Sequence, residues 1–245
     1  MKKYARPEHT IIAEALSLMR AEFLLTNRCW FGGGTAIVLK LGEYRLSADV
    51  DFLCADTEGY RELRQAAQRD GIAAFFDGPM TALREIRTDQ YGIRAALEFK
   101  GQIIKFEIVR EARITITGSL DLEIGVPLLS RDDMFTEKLL ANADRCMDRS
   151  VAYRDAIDIG MLIAEHAEIP QSALTKAREA YGDDIERKLI WSATRLREAP
   201  ERHHATQSLQ MNFEDVDQAI ASLHGECAKL WPTRMPAARD SSNPG

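Results

Sequence analysis

Two stretches decide how the rest of the chain is interpreted: residues 32–36 (Gly-Gly-Gly-Thr-Ala) and residues 45–52 (Arg-Leu-Ser-Ala-Asp-Val-Asp-Phe). Glycines let the backbone approach a ligand closely, and a helix that begins beside them presents unpaired amide donors at its positive end. The apolar run after Thr35 predicts such a helix, which we expect to end at Gly42 because glycine commonly follows the last helical residue. The first stretch is therefore a candidate cradle for phosphate.

The second stretch carries two acids, Asp49 and Asp51, directly before the apolar residues Phe52 and Leu53. If this segment is a strand, residues two apart point to the same side of the sheet, so the two carboxylates lie side by side. Paired carboxylates beside a phosphate cradle suit divalent cations that carry a nucleoside triphosphate (NTP). Either motif alone is more often a simple turn, so the prediction depends on their combination.

The composition is typical of an ordinary globular protein: 245 residues, 45% hydrophobic and 29% charged, with a formal net charge of -6. The acidic balance argues against a uniformly basic nucleic-acid-binding surface but allows a local basic groove. The four cysteines lie far apart, and the five histidines show no metal-ligand pattern, so we predict free thiols and surface histidines. No apolar run is long enough to span a bilayer, which favours a cytoplasmic protein.

The pattern of the first half predicts alternating helices and strands. We expect a helix over residues 8–25, a buried strand over 29–31 and a helix over 57–71. Residues 91–99 and 102–109 flank Lys100-Gly101, which is a hairpin signal. Residues 113–117 are predicted to form one more short strand.

The second arm of the hairpin has an acid, Glu107, in its middle. Ile104, Phe106 and Ile108 share one side of the second arm, whereas Glu107 lies on the opposite side. An acid in the middle of a strand is costly unless it is solvated, paired or bound to a cation. Glu107 is therefore a candidate third carboxylate ligand.

After residues 125–127 (Gly-Val-Pro) the pattern predicts successive helices and almost no strand. Ser130 and Asp133 form a capping-box pattern for a helix over 131–147, and further helices are expected over 151–166 and 170–182. Asp183 is predicted to cap the next helix, and a last one begins near residue 213. We thus expect an α/β domain over residues 1–125, a helical domain over 126–235 and a flexible tail over 236–245.

The joint pattern resembles the AbiEii-type nucleotidyltransferase toxins of the DNA polymerase β-like nucleotidyltransferase superfamily. The resemblance is carried, in the expected order, by residues 33–36, residues 45–52, residues 137–139 (Glu-Lys-Leu), Arg145 and residues 153–159 (Tyr-Arg-Asp-Ala-Ile-Asp-Ile). It implies an α+β fold: a nucleotidyltransferase-like mixed β-sheet with flanking helices, followed by an α-helical C-terminal domain. The active site would lie in the cleft between them.

The resemblance also implies roles for the residues of the first two motifs. Gly33, Gly34 and Thr35 would hold the triphosphate of the NTP. Asp49 and Asp51 would bind two Mg²⁺ ions, one near the acceptor oxygen and one near the pyrophosphate leaving group.

Further roles follow by position from the same resemblance. Glu107 would be the third metal ligand, where the family more often has Asp. Lys138 would contact nucleotide phosphates, and Asp155 would position this lysine or the substrate. Ser47 and Arg45 would orient the carboxylates or contact phosphate.

The helical half adds a polar stripe, because Lys138, Asn142 and Arg145 are spaced four and three residues apart. A solvated helix face is the plain alternative for such a stripe. On the next helix we interpret Asp155 as functional and Asp158 as a structural residue that joins the two halves.

The activity implied by the resemblance is Mg²⁺-dependent transfer of a nucleotidyl group from an NTP to an acceptor. tRNA is the leading acceptor, and the protein would be the toxin of a type IV-like toxin–antitoxin pair with an antitoxin as partner. Basic residues of the helical half would contact the RNA, or they are ordinary surface charge. Two alternatives stay open: a protein or small-molecule hydroxyl as acceptor, and a non-catalytic module that binds a nucleotide or partner.

Overall fold

Helices and strands alternate in the first half of the protein, whereas residues 131–230 contain helices and no strand. The computed structural model describes residues 4–235, so the predicted tail 236–245 lies outside the described residues. In chain order the elements are α1 (Pro7–Ser17), α2 (Ala21–Thr26), β1 (Cys29–Phe31), α3 (Gly33–Lys40), β2 (Val50–Cys54), α4 (Thr57–Asp70), β3 (Thr81–Ala82), β4 (Arg87–Thr88), β5 (Gly92–Phe99), β6 (Gln102–Arg110), β7 (Gly118–Leu120), β8 (Pro127–Leu129), α5 (Arg131–Arg145), α6 (Arg154–His166), α7 (Gln171–Tyr181), α8 (Asp184–Arg195), α9 (Ala199–Ser208) and α10 (Phe213–Leu230).

The strands form one mixed sheet in the order β3-β5-β6-β2-β1-β8-β7, with β4 paired to β5. β2 runs parallel to β6, whereas β1–β2 and β5–β6 are antiparallel. The predicted hairpin is β5–β6, and its turn residues Lys100 and Gly101 both have positive φ, as a tight two-residue turn requires. The predicted fold class, a mixed sheet with flanking helices, is confirmed.

Because side chains alternate along a strand, β2 and β6 have an apolar side and a polar side. Phe52, Phe106 and Ile108 are fully buried on one side, where the rings of Phe52 and Phe106 lie 6.3 Å apart. On the opposite side Asp51 is the register partner of Glu107. The apolar side thus packs in the hydrophobic core, and the polar side faces the helical half.

Two local predictions are wrong because tertiary contacts override the pattern. The predicted helix over 8–25 is two helices, since Arg20 N–H donates to Phe75 O and Met19 bridges to Phe76 between α1 and α2. Residues 113–117 form no strand; the Thr117 N–H donates instead to the Asp133 carboxylate at 2.7 Å. A side-chain acceptor therefore replaces the expected strand partner, and β7 begins one residue later.

The helical half also departs from the prediction at several points. β8, beyond residue 125, joins the sheet parallel to β1. One prediction in this half is confirmed: Ser130 caps α5, because its Oγ accepts from the Asp133 N–H at 3.2 Å. Asp183 makes no side-chain cap to α8, and α6 begins at Arg154 because a 3₁₀ turn occupies residues 149–151. α9 was not predicted, because its sequence has few apolar residues.

Close helix packing completes the second half. α6 and α10 approach so closely that a Cβ placed on Gly160 would lie 2.2 Å from the backbone oxygen of Ala219. Across residues 4–235, no helix combines the length and apolar character needed to cross a bilayer.

Candidate active site

A cavity of about 350 Å³ lies between the polar side of the sheet and the helices α5 and α6. Seven of the nine predicted site residues line it: Gly33, Gly34, Ser47, Asp49, Asp51, Glu107 and Lys138. The other two lie one contact away. Thr35 Oγ1 is 2.9 Å from Ser47 Oγ, and Asp155 accepts from Lys138 Nζ at 2.9 Å. The fold therefore brings together motifs that are about a hundred residues apart in the chain.

The glycines at the start of α3 are required by what packs against them. Gly33 has φ +68, and a Cβ there would lie 2.9 Å from Asp51 Oδ2. A Cβ on Gly34 would lie 2.0 Å from Arg45 Nη2. The backbone of the helix start therefore lies directly against the acid strand, with its unpaired amides beside the carboxylates.

The segment before β2 is held from outside the cavity. The Ser47 N–H donates to His9 Nε2 at 3.3 Å, and His9 Nδ1 lies 2.8 Å from a Glu43 carboxylate oxygen. His9 is fully buried, so its predicted surface position is wrong. Burial lowers the pKa of His9, while the Glu43 carboxylate opposes that shift. The histidine is thus a connector between α1 and the segment that carries the acids.

Asp49 and Asp51 form the acidic part of the cavity. Asp51 lies in β2, and Asp49 immediately precedes this strand. The pKa of Asp51 is raised to about 6, mainly by burial and also by the carboxylates of Asp49 and Glu107, while Lys105 opposes the shift. Adjacent carboxylates supply the oxygen donors and the negative charge that a hard divalent cation requires. The two aspartates therefore fit Mg²⁺ by donor chemistry.

Glu107 is engaged differently from the two aspartates. Its Oε1 accepts from Arg94 Nε at 2.6 Å, and its Oε2 lies 3.2 Å from Lys105 Nζ. Within residues 4–235, no three side chains from histidine, cysteine, aspartate or glutamate assemble into a metal-binding group. Glu107 lies beside the acid pair as expected, but in this structure both of its oxygens face cations.

A buried ion network joins α5 and α6 beside the acids. Lys138 Nζ lies 2.9 Å from Asp155 Oδ1 and 2.6 Å from Asp158 Oδ2. Arg145 donates to Asp155, and Arg45 donates to both oxygens of Asp158 at 2.7 and 2.8 Å. Burial alone would raise the pKa of Asp155, but Lys138 and Arg145 hold it well below its usual range. Three cations share two carboxylates, so the network presents net positive charge to the cavity.

Arg45 is a structural brace in this network. Its side chain is 4% exposed, and it bonds both oxygens of Asp158 and the carbonyl of Leu46. Tyr44 also donates to Asp158, at 2.7 Å. The prediction that Asp158 joins the two halves agrees with these contacts, and they show that its main partner is Arg45.

A second carboxylate cluster surrounds Arg113, which also lines the cavity, and the sequence did not predict it. Arg113 donates to Glu111 at 2.5 Å, to Glu137 at 3.3 Å and to Asp144 at 3.2 Å. The pKa of Glu137 is raised to about 8, mainly by burial and also by the nearby Glu111 carboxylate, while Arg113 opposes the shift. This shift favours the protonated form of the Glu137 carboxyl. The only signal in the sequence was its position directly before Lys138.

Comparisons with known proteins identify the family of the chain. The sequence model of one family, described as nucleotidyl transferase AbiEii toxin, Type IV TA system, matches residues 17–226. A search of curated proteins found no match.

Two solved structures are similar over most of the chain. JHP933 from Helicobacter pylori aligns with a TM-score of 0.47 and 15% identity, covering 93% of this chain and 96% of that one. An antigenic nucleotidyltransferase-like protein from Paracoccidioides brasiliensis aligns with a TM-score of 0.47 and 17% identity, covering 81% and 93%. The family match extends over most of the described residues and confirms the resemblance seen in the motifs: the chain belongs to the AbiEii family of nucleotidyltransferase toxins of type IV toxin–antitoxin systems.

Proposed function

We propose that this nucleotidyltransferase moves a nucleotidyl group from an NTP to a hydroxyl of an RNA acceptor, with tRNA as the leading candidate. One observation carries the proposal: a single cavity contains the glycine backbone of α3, the carboxylates of Asp49 and Asp51 and the ammonium of Lys138. These groups match the phosphates, the cation and the leaving group of an NTP. As a type IV toxin, the protein would act with an antitoxin as its partner.

The reaction requires an acceptor oxygen to form a bond with the α-phosphorus. The bond from that phosphorus to the bridging oxygen breaks, pyrophosphate leaves with the electron pair, and the hydroxyl proton passes to solvent. Mg²⁺ held by Asp49 and Asp51 would supply Lewis-acid polarisation of the phosphates and of the acceptor oxygen. Glu107 would join these ligands only if it released Arg94 and Lys105.

The protein's own groups hold and orient the NTP. The start of α3 directs amide donors at the phosphates, as helix N-termini commonly do for anions. Two carboxylates hold the Lys138 ammonium in place, so its charge is positioned before the substrate arrives. Asp155 is a positioning residue in this scheme, since it contacts Lys138 and Arg145.

The ion pairs of Glu107 favour one alternative, a module that binds a nucleotide without turnover. A third carboxylate that stays with Arg94 and Lys105 would leave only two acids for cations. Assays of the wild type and of Glu107→Gln separate the two possibilities. Wild-type turnover that is lost in Glu107→Gln supports catalysis. Nucleotide binding by both proteins, without turnover by the wild type, supports the module.

The deciding experiment incubates the purified protein with Mg²⁺, each labelled NTP in turn and total tRNA. Asp49→Asn/Asp51→Asn is the control, because it removes both charges with little change in volume. Label in RNA with the wild type alone would support the proposal and identify the nucleotide. Label in protein or small-molecule fractions would replace the RNA acceptor, and bound nucleotide with no label anywhere would favour the binding module.

A further inference from the structure

A second cavity, of about 300 Å³, adjoins the first at the acid strand. The two cavities share four lining residues: Arg45, Ser47, Asp49 and Arg154. The outer wall of the second cavity comes from residues 150–152, just before α6, and from the end of α9 at Ser208 and Leu209. Asp49 therefore faces both spaces, whereas Asp51, Glu107 and Lys138 face only the first.

Arg154 differs from the other cations around the acids. Arg45, Lys138 and Arg145 are each bound to a buried aspartate. The side chain of Arg154, the first residue of α6, forms no hydrogen bond or ion pair with any residue in the described range 4–235. A guanidinium between two cavities thus keeps all its donors, and its planar fork matches a phosphate.

The backbone before Arg154 is held in a rare conformation. Ala152 and Tyr153 are successive non-glycine residues with positive φ, of 50° and 58°. Tyr153 is buried, donates to Glu201 at 2.9 Å and lies against Trp191 with ring centroids 5.9 Å apart. Backbone of this kind persists only where the surroundings hold it, and it occurs preferentially at functional sites. The turn fixes where α6 begins and hence where Arg154 enters the cavities.

The chemistry of the second cavity differs from that of the first. Its polar side chains are those of Ser47, Ser150 and Ser208, the Asp49 carboxylate, the guanidinium of Arg45, which is bound to Asp158, and the unpaired guanidinium of Arg154. This set suits a sugar–phosphate unit, which offers hydroxyls and a single charged phosphate, better than a triphosphate. The glycine backbone and Lys138 lie in the first cavity and suit the NTP.

We infer that the second cavity holds the terminal nucleotide of the acceptor RNA, with its hydroxyl toward Asp49, and that Arg154 binds the phosphate of that nucleotide. The inference rests on the proposed function, since it assigns the acceptor site of the same reaction. It divides substrate binding between two adjoining spaces that meet at Asp49.

The test varies total tRNA and NTP separately in steady-state transfer assays with Arg154→Ala and Arg154→Lys. Losing a charge-assisted phosphate contact should raise the KM for tRNA roughly 10- to 100-fold in Arg154→Ala. Arg154→Lys should recover part of this loss, because it keeps the charge but not the fork. The dissociation constant of the NTP, measured without RNA, should stay unchanged in both variants.

Arg149→Ala is the matched control. Arg149 lies on the same loop and is 67% exposed, and it lines neither cavity. Its KM for tRNA should equal that of the wild type. Ser208→Trp, at an exposed position on the far wall, should fill the second cavity and raise the KM for tRNA without weakening NTP binding.

Two results would overturn the inference while leaving the proposed function intact. One is a wild-type KM for tRNA in both Arg154→Ala and Ser208→Trp. The other is weaker NTP binding in Arg154→Ala with an unchanged KM for tRNA, which would place Arg154 in the NTP site. A wild-type protein that labels no RNA at all would instead refute the proposed function, and the inference with it.

Discussion

The pair of Arg45 and Asp158 should carry much of the connection between the acid strand and the helical half. Both side chains are almost completely buried, and Arg45 donates to both oxygens of Asp158. Asp158→Asn would leave the guanidinium buried beside a neutral group. Removing one partner of a buried pair typically costs about 3–5 kcal/mol, out of a total stability of about 5–15 kcal/mol. For a chain of this size we expect a fall in Tm of roughly 6–20 °C.

Chemical denaturation of the wild type and Asp158→Asn, followed by circular dichroism, measures this loss directly. The control is Asp217→Asn, whose pair with Arg202 is 3.3 Å long and largely exposed, and which should change the free energy of unfolding by less than about 1 kcal/mol. Adding Arg45→Leu to Asp158→Asn removes the stranded charge and should recover part of the loss. Equal stability of Asp158→Asn and Asp217→Asn would refute the reasoning.

Three further predictions concern single positions. Gly33→Ala should abolish NTP binding, because its Cβ would meet the acid strand at 2.9 Å; Gly42→Ala, also at positive φ but in open space, should cost only about 1–2 kcal/mol of stability and keep binding. Gly160→Ala should lower the Tm, because its Cβ would meet the backbone of α10 at 2.2 Å, whereas Gly225→Ala, with nothing within 4 Å, should raise stability by about 0.5–1 kcal/mol. Because the pKa of Glu137 is raised in the folded state, its contribution to stability is fully present below about pH 4.5 and is lost as the pH rises through about 8. Glu137→Gln should flatten that part of the curve of unfolding free energy against pH. An unchanged slope would contradict the raised pKa of Glu137.

Short-range patterns were sufficient wherever neighbouring residues determine the structure. The β5–β6 hairpin follows from alternation around Lys100-Gly101, and the start of α5 follows from the spacing of Ser130 and Asp133. Alternation also placed Glu107 on the polar side of β6, as the register with Asp51 shows. The family signature depends on the same local segments, so it was recognisable before any fold was known.

Which partner each polar side chain contacts could be determined only from the tertiary structure. Glu107 was predicted as a metal ligand, but its neighbour across the sheet is Arg94, and nothing near Glu107 in the chain indicates that contact. The split between α1 and α2 has the same origin, since it depends on a backbone bond from Arg20 to Phe75. Local spacing carries no information about such partners.

The sequence by itself therefore determined the β5–β6 hairpin, the cap of α5, the acid pair and the family, because each depends on residues within a few positions of one another. Only the tertiary structure decided which cation meets which acid and where the cavities lie. Arg45 and Asp158 are 113 positions apart in the chain, yet their carboxylate–guanidinium pair helps bring Asp49 and Asp51 to Lys138. The physical reason is that a buried charge is stable only beside its partner, and the fold as a whole selects that partner.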